Sequence, residues 1–167
     1  MQVGQLIIAQ LLTKIEELNS AIAYLSVNRS YKVLTREGAE RKWQAIDLRQ
    51  KSVILFDIDN LHGHNQKHGY EEMNRRISLV LNCVRSCELL GLVFSGDEFF
   101  LVVKEEEAIA TCERLRAEMK QYQMTATIAV SPITSMSFQV NYQKLTEYIL
   151  QSKAMGMRNV LITSKKG

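Results

Sequence analysis

The sequence has a single proline, no low-complexity tract, no C-x-x-C motif and no long apolar run. Each absence removes a class of protein. With so little proline and no biased segment, nothing in the 167 residues predicts disorder. The cysteines number three, and Cys83 and Cys87 lie four apart in a helical pattern. Without a C-x-x-C pair they read as buried free thiols of a reducing, cytoplasmic compartment rather than as metal ligands. The first residues lack a basic segment, and Leu6-Ile7-Ile8-Ala9 is broken by Gln10 before Leu11-Leu12. Neither a signal peptide nor membrane insertion is expected. A large charge of one sign is missing too: a formal charge of +3 does not point to a nucleic-acid duplex as partner.

What is present is an ordinary globular composition, 46% hydrophobic and 23% charged. A chain of this length makes one domain that buries roughly two-thirds of its unfolded surface. From about residue 4 to 26 the apolar residues follow a helical period. Ile8, Leu11, Ile15, Leu18, Ile22 and Leu25 are spaced 3, 4, 3, 4, 3, a coiled-coil-like seam with Lys14, Glu16 and Glu17 off it. One helix cannot bury such a seam by itself, so it packs on its own domain or pairs with a second chain; we expect a homodimer built on residues 1–30. A polar joint over Ser26–Ser30 follows. Thr35 is then a candidate N-cap for a helix from Glu37 to Gln50.

Ser52-Val53-Ile54-Leu55-Phe56 is a consecutive apolar run, as expected of a central strand covered on both faces, and it leads into Asp57-Ile58-Asp59. Residues 60–69 lack a strong period, although Leu61 can anchor a short helix. Glu71 to Glu88 is predicted helical. Leu92 to Val103 then reads as a hairpin, two apolar runs joined by Ser95-Gly96-Asp97-Glu98. A helix over Glu105–Tyr122, a strand over Met124–Val130, a helix over Tyr142–Lys153 ended by Gly156, and a last strand over Asn159–Thr163 complete the pattern. Elements this short predict an α/β sandwich around a mixed, mostly antiparallel sheet. If the first strand and the hairpin are neighbours, Asp57, Asp59, Asp97 and Glu98 crowd at one sheet edge, where their repulsion calls for a divalent cation. The alternative is that Gly96-Asp97 only makes a turn and Asp57 only ends a strand.

Asp57-Ile58-Asp59 followed by Asn65 and Gly69, with a hairpin bearing Ser95-Gly96-Asp97-Glu98-Phe99, resembles the GGDEF family of nucleotidyl cyclases over roughly residues 31 to 163. The resemblance implies a palm-like sandwich over residues 31–167 and the condensation of two GTP molecules into cyclic di-GMP. The cofactor it implies is Mg²⁺ or Mn²⁺. Asp57, the Ile58 carbonyl, Asp97 and Glu98 correspond to the metal-binding and catalytic positions, and Gly96 to the backbone that approaches the triphosphate. Asn65 matches the guanine-reading Asn, and Lys153 the phosphate-binding Lys. Asn74 stands where the family usually has an Asp, so ATP is an alternative substrate to GTP: an amide offers one acceptor where a carboxylate offers two oxygens and a charge. His62 replaces a phosphate-contacting Lys. Met157 replaces an Arg, with Arg158 one position late. Lys32 and Ala39 replace an Asp and an Asn near the domain start. Arg85-Ser86-Cys87-Glu88 imitates an Arg-x-x-Asp inhibitory site. These departures keep open a catalytically degenerate module that binds a nucleotide or a protein, and another palm-type oligonucleotide cyclase. His62, His64 and His68 have no further Cys or His nearby to complete a zinc site, and read as loop residues beside the substrate.

Overall fold

The computed structural model describes residues 2–84, 89–92 and 97–164. Along the chain run α1 (Gln2–Leu25), α2 (Arg36–Trp43), β1 (Lys51–Ile58), α3 (Leu61–His68), α4 (Tyr70–Leu81), β2 (Leu89–Leu92), β3 (Glu98–Lys104), α5 (Ala108–Gln121), β4 (Ala126–Pro132), α6 (Phe138–Ala154) and β5 (Leu161–Thr163). The five strands form one sheet in the order β2-β3-β1-β4-β5. Three pairings are antiparallel, and β4 with β5 is parallel. The predicted mixed, mostly antiparallel α/β architecture is the one observed.

Side chains of β1 alternate between two cores, as the two-residue period of a strand requires. Ile54, Phe56 and Ile58 face α4 and α5, meeting Met73, Ile77, Leu115 and Met119. Val53 and Leu55 face α2 and α6, meeting Trp43, Phe138, Leu145 and Ile149. Phe56 and Phe99 stack in the first core with ring centroids 5.0 Å apart. Each such buried ring contributes roughly 1.5–3 kcal/mol relative to exposure. This alternation also aims the strand ends: Asp57 and Glu98 share the face that carries α6.

Several boundaries differ from expectation. The helix read from Glu37 to Gln50 stops at Trp43, whose indole is buried and whose Nε1 donates to the Met136 carbonyl at 2.7 Å. Beyond it the Asp47–Arg49 pair closes a turn and Gln50 has φ of 53°. Residues 61–68 form a full helix although their apolar period is weak. The helix read from Glu71 to Glu88 ends at Leu81 with Asn82 as its cap, and Arg85–Glu88 lies outside the described residues. The hairpin's first strand begins earlier than Leu92, at Leu89. Helix α6 begins at Phe138, not Tyr142, because Ser137 accepts a hydrogen bond from the Val140 N–H at 3.3 Å. The strand read over Met124–Val130 runs instead from Ala126 to Pro132, and β5 is confined to Leu161–Thr163.

Helix α1 stands out from the domain: every residue from Gly4 to Leu25 is exposed. Its lower end, however, is tied firmly. The Ser26 carbonyl accepts from the Thr35 N–H at 2.8 Å, and Thr35 also caps α2 through its hydroxyl. A Cβ at Gly38 would lie 2.4 Å from that same carbonyl oxygen, so only glycine lets α2 approach. Among the described residues no helix is long and apolar enough to cross a membrane.

Candidate functional site

The end of the sheet toward which β1 runs gathers the acids. Asp57 pairs across the sheet with Glu98 of β3 on one side and with Thr127 of β4 on the other. The Ile58 N–H donates to the Asp97 carbonyl at 2.9 Å, which straps the foot of the hairpin to β1. The two runs read as neighbours in the sequence are therefore hydrogen-bonded neighbours.

Burial pushes the Asp57 carboxyl above its ordinary range, and the charges of Asp97 and Asp59 add to the effect. Lys153 of α6 opposes it, its ammonium paired directly with Asp57 Oδ1. Glu98 is raised for the same first reason, burial, with Asp57 and Asp97 contributing. The Tyr142 hydroxyl counters by donating to Glu98 Oε2 at 2.8 Å. The tyrosine's own ionisation is pushed upward by burial and by that carboxylate.

Asp59 does not belong to this group. It is 5% exposed and its carboxylate accepts from Thr125 Oγ1 at 2.9 Å, Thr127 Oγ1 at 2.8 Å and the Asn159 N–H at 2.9 Å. Three donors satisfy it where it stands, and it ties the end of β1 to β4 and to the approach of β5.

Other candidate residues are placed as follows. Asn65 and His62 lie on α3, and Asn74 on the adjoining α4. His62 is exposed and its Nε2 lies 3.0 Å from Gln66 Nε2 one turn on. Asn74 Oδ1 accepts from the Tyr31 hydroxyl at 2.9 Å. Arg158 turns back on its own helix, donating through Nη1 to the carbonyls of Lys153 and Met157, each at 2.9 Å. That positions it as a cap for the C-terminus of α6. His64 and His68 stack at 6.3 Å along α3. Gly96 lies outside the described residues.

Among the described residues no three His, Cys, Asp or Glu side chains converge on one point that would hold a metal ion. The donor chemistry of the strand end nonetheless fits a hard divalent cation: half-buried carboxylates whose ionised forms are disfavoured, beside a backbone carbonyl at Ile58. In this conformation the positive charge at Asp57 comes from Lys153.

Two residues of the site were not singled out from the sequence. Tyr142 had a usable signal, since it precedes Lys153 by eleven residues, three helical turns, and so shares its face. Tyr31 had none, because it reaches the site from an irregular joint.

No protein-family model matches the sequence, and no curated protein shows significant similarity to it. Solved structures do. A microbial GGDEF domain studied with cyclic di-GMP superposes with a TM-score of 0.71 at 16% identity, covering 84% of this chain and 99% of that one. The diguanylate cyclase SiaD from Pseudomonas aeruginosa, solved with its activator SiaC, gives 0.70 at 17% identity over 95% of this chain and 69% of that one. The coiled coil and GGDEF domain of DgcB from Caulobacter crescentus, in complex with c-di-GMP, gives 0.61 at 13% identity over 96% and 98%. At these identities the likeness is one of fold.

Proposed function

We propose that this chain, which has the GGDEF-domain fold, is a Mg²⁺- or Mn²⁺-dependent dinucleotide cyclase. It would join two nucleoside triphosphates, GTP or alternatively ATP, into a cyclic dinucleotide such as cyclic di-GMP. The observation that carries the reading is the pairing of Asp57 with Glu98 across β1 and β3, with Asp97 strapped to Ile58 beside them. Asp57, Asp97, Glu98 and the Ile58 carbonyl would hold the divalent ions. When bound, such ions supply Lewis acidity that lowers the pKa of a ribose 3′-hydroxyl and draws charge from the α-phosphate and the pyrophosphate.

The chain's own residues do the remaining work. Tyr142 fixes the orientation of Glu98 through its hydroxyl. Lys153 opposes the upward push that burial gives the Asp57 carboxyl, and its ammonium is available to a triphosphate once another cation serves that carboxylate. Gly96 lets the backbone approach the phosphates, while His62 and Arg158 border them. Asn65 and Asn74 face the base. Each domain holds one nucleotide, so two copies must meet, and α1 with its exposed seam supplies the pairing.

The purified protein, incubated with Mg²⁺ and GTP, ATP or both, is expected to yield a cyclic dinucleotide by mass spectrometry, and Asp97→Ala to abolish it. No cyclic or linear product from any combination overturns the proposal. A second reading, a nucleotide-binding or protein-binding module without turnover, is favoured by the orientation of Arg158 toward its own helix. Tight nucleotide binding with no product would select it. A different oligonucleotide product would select the other palm-type cyclase.

A further inference from the structure

A chain of side-chain contacts reaches Glu98 from the first residue of α2. Arg36 follows the Thr35 cap directly, and its fork is held at two points: Nε donates to Glu40 Oε1 at 2.9 Å within α2, and Nη2 to Gln139 Oε1 of α6 at 2.7 Å. Anchors on two helices fix the plane of the guanidinium. Its Cζ lies 5.8 Å from the centroid of the Tyr142 ring, within reach of a cation–π attraction. Gln139 and Tyr142 are three residues apart on α6 and so share a face, which is why one guanidinium meets both. Tyr142 is buried, Phe138 stacks beside its ring, and its hydroxyl donates to Glu98 Oε2 at 2.8 Å. The direction of that bond follows from its partner, since an ionised carboxylate only accepts.

We propose that Arg36 is a positioning residue for Glu98 that acts through Tyr142: the anchored guanidinium holds the tyrosine ring where its hydroxyl meets the carboxylate. The inference rests on the reading of Glu98 as a metal-binding or catalytic acid. Tyr142 turns about two side-chain bonds, and its hydroxyl lies at the far end of the ring from both, so a small tilt at the base becomes a large displacement at the oxygen. Packing against Phe138 limits that tilt, and the guanidinium limits it further. The contacts also join distant parts of the fold. Arg36 begins the helix whose cap, Thr35, donates its N–H to the Ser26 carbonyl at the foot of α1. The acid of β3 is thereby tied to the joint below α1 by a route that does not run through the sheet.

The test uses the full chain labelled with tyrosine carrying ¹³C at Cζ, whose resonance responds to the hydrogen bond of the hydroxyl; the Tyr142 signal is the one missing from Tyr142→Phe. Glu98→Gln should shift that signal in the otherwise wild-type chain. In Arg36→Met, which keeps an apolar stem but no fork, Glu98→Gln should leave it nearly in place, because the hydroxyl has already left the carboxylate. Turnover is read in parallel. Arg36→Met should lower kcat about tenfold with little change in KM, and should cost nothing further in the Tyr142→Phe background. Gln139→Ala removes one anchor at an exposed position, where the fold is not at risk, and should weaken the resonance response and lower kcat about threefold. An equal response to Glu98→Gln with and without Arg36, no response in the wild-type chain, unchanged behaviour of Gln139→Ala, or losses that add in the double variant overturns the inference alone. Absence of turnover from wild type overturns the proposed function, and the resonance then decides the inference by itself.

Discussion

Replacing Lys153 by methionine keeps most of the length of the side chain and removes the charge paired directly with Asp57. In the native pair the Asp57 and Lys153 side chains are 19% and 23% exposed, so solvent screens them only in part. Two unit charges in contact at an effective dielectric near 20 attract by about 4 kcal/mol, and desolvation cancels much of that. Loss of the ammonium should cost about 1–3 kcal/mol at neutral pH, equivalent to a fall in melting temperature of about 3–10 °C for a domain of this size. The cost must depend on pH. Burial already raises Asp57 above the value of an unfolded aspartate, so the folded chain binds more protons than the unfolded one between those two values. Stability therefore falls as pH rises through that window, and Glu98, also raised, adds to the slope. Without Lys153 the window widens. Differential scanning calorimetry at about pH 5 and pH 7.5 should show a small difference between wild type and Lys153→Met in acid and a large one at neutral pH. Millimolar Mg²⁺ should narrow the neutral difference by linkage, since the cation binds only the folded carboxylates. A deficit equal at both pH values and indifferent to Mg²⁺ would refute the reasoning.

Three further substitutions probe other parts of the molecule. Tyr142→Phe removes the 2.8 Å hydrogen bond to Glu98 and should lower turnover roughly tenfold while leaving the circular dichroism spectrum intact; unchanged kcat contradicts the role. Gly38→Ala places a methyl 2.4 Å from the Ser26 carbonyl oxygen, and a urea titration should register a loss of about 1–3 kcal/mol. Leu18→Glu puts a charge in the exposed seam of α1, and sedimentation velocity should show dimer giving way to monomer; a wild-type chain that stays monomeric at high concentration contradicts the pairing.

The acids were legible because strand chemistry makes them so. A run from Ser52 to Phe56 buried on both faces must be central, and the hairpin had to lie beside it for the repulsion among Asp57, Asp97 and Glu98 to have any meaning. Asp59 was misplaced among them because sequence shows a carboxylate but not the donors aimed at it; Thr125, Thr127 and the Asn159 N–H come from segments more than sixty residues away. Arg158 was read toward the triphosphate, and its Nη1 donates to the carbonyls of Lys153 and Met157 at the end of α6. The helix from Leu61 to His68 escaped periodicity because no residue of it is buried. Tyr31 escaped altogether, since irregular backbone carries no period from which a side chain's direction can be read.

The way α1 is fastened has a mechanical meaning. Its 24 residues make a rod about 36 Å long, clamped at its base where Ser26 meets Thr35 and Gly38. A few residues on, Leu34 is hydrogen-bonded to Leu90 and Leu92 of β2, and Tyr31 to Asn74. The rod, β2 and the Tyr31–Asn74 pair are in effect one lever: a turn applied at the far tip, by a second rod or by any other protein, reaches both the sheet edge and α4 through fewer than ten residues of chain.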